Sequence, residues 1–219
     1  IEALIAGLKE GLYTQPVEKG ALKYDFRPKN EGFKTSGQVQ YVASAGNFEE
    51  AGYHYTGALR ILNVILSYEY LWTNIRVKGG AYGCMSGFRR SGDGFLVSYR
   101  DPHLKNTLKI FRETPAFIRS FQADEREMTK YIIGTISELD VPMNPSTKGA
   151  MSLNAYFGKL TEEDILTERE EILNASVEDI QRLGDIVEAI MNQNIICVIG
   201  GEGKIEENKE LFKEVKPLF

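Results

Sequence analysis

The stretch from Tyr53 to Lys78, "YHYTGALRILNVILSYEYLWTNIRVK", constrains the fold of this chain more than any other. Apolar residues recur at Tyr55, Leu59, Leu62, Leu66 and Ile75, and Ile61, Val64, Ile65 and Leu71 widen the stripe. That period and width predict a long, well-buried helix. It stops before Gly79 and Gly80, as glycine after a helix commonly dictates. Next come "AYGCMSGF" and "GFLVSYR", strand-like runs on either side of "RRSGDG", a sequence suited to a hairpin loop.

The remaining elements follow from period and punctuation. "IEALIAGLKEGLY" places Ile1, Leu4, Ile5, Leu8 and Leu12 at helical spacing, and Pro16 and Gly20 break the pattern into a connector. We expect a leading helix and linker over residues 1–24 and one domain over 25–219. "QVQYVAS" alternates as a strand. Asp101 before Pro102 reads as a helix N-cap, and Pro115 should bend or divide the helix that follows. Asp124 with Glu127, Thr161 with Asp164 and Ser176 with Asp179 each pair a cap residue with a first-turn acid. "VPMNPSTKG" reads as a loop, "NIICVIGG" as a strand and "KIEENKELFKEVKPLF" as a final helix. This order lacks regular βα alternation and predicts an α+β sandwich, with a mostly antiparallel sheet packed against helices.

Composition narrows function. The 219 residues carry a net charge of -5, so no basic field gathers nucleic acid or anionic lipid; neither is expected as a partner. Cys84 and Cys197 are far apart and form no metal-binding or disulfide pattern, which fits a reducing compartment. No signal core or membrane-length apolar span is present in the sequence, and a cytoplasmic location is expected.

Catalytic equipment is sparse. His54 and His103 lie outside the HExxH and HxxEH spacings, so no metal is expected on this chain. There is no GxSxG elbow, and "KGGAYGCMSG" lacks the ending of a phosphate-binding loop. Arg76 and Tyr82 remain. Together they could hold a carbonyl oxygen or a developing oxyanion; alternatively Arg76 caps a helix C-terminus and Tyr82 packs on a sheet.

"LWTNIRVKGGAYGCMSGF" followed by "GFLVSYRDPHLKNTLKIF", with "YVASAGNF" and "VPMNPSTKG", resembles the C-terminal domain of presequence-protease-like M16 metallopeptidases, the pitrilysin and insulinase superfamily. The resemblance implies an insulinase/LuxS-metalloenzyme-like two-layer sandwich. It also implies a zinc-dependent peptidase of four homologous domains that degrades unfolded peptides, with zinc and HxxEH in the first. This chain would then be a non-catalytic domain, inactive alone and partnered by the enzyme's N-terminal half. Arg76 and Tyr82 map onto the arginine and tyrosine that the last domain extends to substrate, and Gly79 and Gly80 onto the loop between them. A zinc-free homologue serving as a structural or peptide-binding subunit is the alternative.

Overall fold

The computed structural model describes residues 29–218. The leading helix expected from Ile1 to Leu12 and its linker lie outside the described residues. Among the described residues, six strands form one sheet in the order β3-β4-β2-β5-β1-β6. They are β1 (Glu31–Thr35), β2 (Gln40–Asn47), β3 (Gly83–Phe88), β4 (Asp93–Asp101), β5 (Ile195–Gly201) and β6 (Glu214–Pro217). Pairings among β3, β4, β2 and β5 are antiparallel, while β1 lies parallel to both β5 and β6. The helices are α1 (Ala58–Ile65), α2 (Lys105–Arg119), α3 (Glu125–Leu139), α4 (Pro145–Phe157), α5 (Glu162–Leu173), α6 (Val177–Asn192) and α7 (Glu202–Glu207).

Among the described residues, helices cover one face of the sheet. Helices α1, α2 and α6 pack on one face, where Val42, Leu96, Ile196 and Val198 join Leu59, Leu62, Phe111 and Val187 in the core. Alternation along each strand sends the intervening residues to the other face: Tyr41 and Ala43 on β2, Met85 on β3, Val97 and Tyr99 on β4, Cys197 and Ile199 on β5. Among the described residues these line a shallow apolar groove of about 420 Å³.

The helix predicted before Gly79 is present with its buried stripe, but it changes pitch. Beyond α1 it continues as π-helix over Leu66–Tyr70 and Trp72–Val77, where Leu71 N–H donates to Leu66 O and Lys78 N–H to Thr73 O. Leu66, Leu71 and Ile75 remain buried in this wider spiral. The hairpin and the "NIICVIGG" strand form as expected, and all three acid-backed caps are reciprocal capping boxes.

Four expectations change. Asp101 ends β4 in the interior, and α2 starts only at Lys105, without a side-chain cap. That helix then runs undivided through Pro115. The predicted loop "VPMNPSTKG" becomes helical at Pro145, because Asn144 caps Thr147 N–H and proline suits the first helical position. The expected final helix is broken into α7, a 3-10 turn at Lys209–Leu211 and β6, whose backbone pairs with β1. Strand β1 gave no strong local signal; its neighbours on both sides supply its hydrogen bonds.

Candidate functional site

The π-helix closes in a widened turn. Gly80 N–H donates to Arg76 O and Ala81 N–H to Ile75 O, a Schellman-like pair of bonds with one additional residue enclosed. Gly80 has φ +78, a conformation glycine adopts freely, and a Cβ on Gly79 would sit 2.5 Å from Ile75 O. The two glycines therefore bring the chain tightly from helix to sheet, where Tyr82 N–H donates to Arg100 O.

This turn sets Arg76 and Tyr82 side by side. The Arg76 guanidinium lies 4.0 Å from the Trp72 ring centroid and 6.0 Å from that of Tyr82. Tyr82 is 58% exposed and meets Tyr99 edge to face at 5.5 Å. The Tyr99 ring lies over Gly83, its cross-strand partner, where a Cβ would approach to 2.2 Å. Among the described residues Arg76 forms no ion pair, and the last helical residues are closed by backbone bonds rather than by its side chain. The guanidinium and the phenol are thus held on aromatic surfaces with their polar ends toward solvent.

Arg100 completes the cluster, 5.6 Å from the Tyr82 ring centroid. Sequence reading did not single out Trp72, Tyr99 or Arg100. Trp72 is four residues before Arg76 and was discoverable from helical spacing. Tyr99 and Arg100 are joined to the cluster by sheet register, which has no local signature.

Cys84 stands beside this cluster on β3. Burial pushes its thiol up to about 11, with Asp101 adding to the effect and Arg76 opposing it, so the thiol stays protonated at neutral pH. It is not an activated nucleophile. His54 and His103 are both exposed, and among the described residues no group of three His, Cys, Asp or Glu could hold a metal ion. The described residues therefore do not fit a zinc centre. A larger groove of about 800 Å³, bounded by Arg90 and the α4–α5 region including Met151 and Ile165, contains none of the predicted site residues.

Comparison with known proteins gives a consistent assignment. The family model of the PreP C-terminal domain matches residues 30–202. The chain is 49% identical over 202 residues to "Protein HypA" of Clostridium perfringens, covering 92% of this chain and 21% of that protein. It is 34% identical over 192 residues to presequence protease 1, chloroplastic/mitochondrial, of Arabidopsis thaliana, covering 86% and 18%. The fold resembles the peptidase M16 inactive domain from Pseudomonas fluorescens at TM-score 0.56 and 15% identity, covering 88% of this chain and 44% of that one. The chain thus spans about a fifth of the length of these curated relatives. By sequence and by fold, it belongs to the PreP C-terminal domain family of the presequence-protease-like M16 peptidases.

Proposed function

We propose that this chain is the substrate-contacting C-terminal domain of a zinc-dependent peptidase that degrades unfolded peptides. Arg76 and Tyr82 are its substrate-binding pair, positioned by Gly79 and Gly80. In this reading both side chains hold a peptide carbonyl and stabilise negative charge developing on its oxygen. Zinc and the HxxEH residues belong to another domain of a longer protein, and the N-terminal half of that protein is the partner that encloses the substrate.

The observation that carries the reading is the pairing of an exposed guanidinium and phenol on aromatic supports, with no carboxylate among the described residues to neutralise the arginine. Tyr99 links this pair to the apolar groove on the sheet face that no described helix covers, and the groove could receive side chains of an extended peptide. Removal of one preorganised oxyanion donor lowers turnover about a hundred- to a thousand-fold, equivalent to roughly 2.7–4 kcal/mol. Arg76→Ala and Tyr82→Phe in the full-length protein should therefore each reduce peptide turnover by that order without changing zinc content. Peptide kinetics and metal analysis on the same preparations test this; unchanged turnover or lost zinc refutes the assigned roles.

A further inference from the structure

We propose that Arg100 is a further substrate-contact residue, one that recognises a carboxylate on the bound peptide. This rests on the reading of the Arg76–Tyr82 cluster as a peptide-contact site.

Arg100 occupies an irregularity built into β4. Gln40 faces Asp101 and Val42 faces Ser98, so two residue steps on β2 correspond to three on β4. The additional residue forms a β-bulge, and Arg100 within it has φ +49. A bulge re-aims side chains, and a non-glycine residue with positive φ persists when its surroundings enforce it.

Those surroundings are unusually polar for an interior. Asp101, 1% exposed, accepts hydrogen bonds from Ser98 Oγ at 2.6 Å, Thr107 Oγ1 at 2.7 Å and His103 N–H at 2.8 Å. Buried Gln40 donates through Nε2 to the carbonyls of Asp101 and Pro102, while its Oε1 accepts from Gly201 N–H. A buried carboxylate, a buried amide and two hydroxyls thus fix the backbone immediately after Arg100. Asp101 acts here as a positioning residue, through the turn.

The side chain presented by this lock is exposed and, among the described residues, has no carboxylate partner. Its guanidinium lies 5.6 Å, and that of Arg76 6.0 Å, from the centroid of the same Tyr82 ring. Two uncompensated arginines beside one aromatic ring favour an anionic ligand, and the guanidinium fork matches a carboxylate bidentately. Such a carboxylate has two sources: the peptide C-terminus or an Asp or Glu side chain.

The test is equilibrium binding by the full-length protein containing this chain, followed by fluorescence anisotropy with chelator present to prevent cleavage. The probes are unstructured labelled peptides in matched pairs, one differing only in a C-terminal carboxylate or amide, the other only in an internal Glu or Gln. The carboxylate member of at least one pair should bind about tenfold tighter or more, and the responding pair identifies the source. Arg100→Gly and Arg100→Asn both tolerate positive φ and should bring that ratio close to one. Arg126→Ala, altering an exposed arginine on α3, should preserve it.

A wild-type ratio near one in both pairs, a ratio unchanged in both Arg100 variants, or no peptide binding overturns the inference. Arg76→Ala separates the two readings, since loss of carbonyl binding should weaken acidic and neutral peptides alike. If Arg76→Ala has no effect while the Arg100 variants lose discrimination, the carbonyl role fails and carboxylate recognition stands.

Discussion

Gly83 shows how one missing side chain can position another. Tyr99 packs across the glycine and meets Tyr82 edge to face, so a methyl group at Gly83 would displace the ring that supports the phenol. Gly87 supplies an internal comparison: it lies beneath Phe95, where a Cβ would approach to 2.5 Å, and the same strand pairing applies. Both Gly83→Ala and Gly87→Ala should lose about 1–3 kcal/mol through overpacking, measurable by urea denaturation. Gly83→Ala should additionally reduce peptide turnover in the full-length protein, whereas Gly87→Ala should retain it. Equal turnover in the two variants would show that Tyr99 does not position Tyr82. The local sequence singled out Arg76, Tyr82 and the paired glycines as candidates, but the glycine–aromatic register required the paired strands.

At the scale of elements, the pitch of the long helix decides what Arg76 can reach. In a continuous α-helix, Arg76 would fall about 40° from the direction of Leu62, because 14 residues are slightly less than four turns. Leu62 is completely buried, so this phase would direct the guanidinium into the core. The π-helical segments shift the phase, leaving Ile75 buried and Arg76 exposed. Elsewhere, short-range chemistry was enough: each capping box joins residues three apart and was legible directly.

Glu168 illustrates the opposite case. Its buried carboxylate on α5 accepts hydrogen bonds from Arg60 on α1, Arg90 beside the hairpin turn and Tyr55, joining segments far apart in sequence. Its acidic neighbours Glu162, Glu163, Asp164, Glu170 and Glu171 are exposed, whereas Glu168 is buried. Removing one member of a buried ion pair costs about 3–5 kcal/mol; because both arginines also reach solvent, Glu168→Ala should lose about 2–3 kcal/mol. Chemical denaturation checks the value, and a loss below half a kilocalorie would remove Glu168 as a structural tie.

At the largest scale, the principal asymmetry among the described residues is a sheet with helices on one face and a groove on the other. Adjacent residues of β4 report on the two sides: Leu96 is buried against the helices, while Val97 lines the groove. Leu96→Ala should cost about 2–5 kcal/mol and Val97→Ala about 1 kcal/mol or less, as read from urea midpoints. Comparable losses would contradict a one-sided core. The sequence by itself determined the buried helix, the hairpin, the caps and the α+β class, because period, turn chemistry and capping act over a few residues. Only the tertiary structure decided the sheet order, the pitch that exposes Arg76, the strand character of β1 and β6, and the meeting of Arg100 with Tyr82. Those outcomes depend on hydrogen-bond partners and packing surfaces supplied by distant segments, which short-range patterns do not encode.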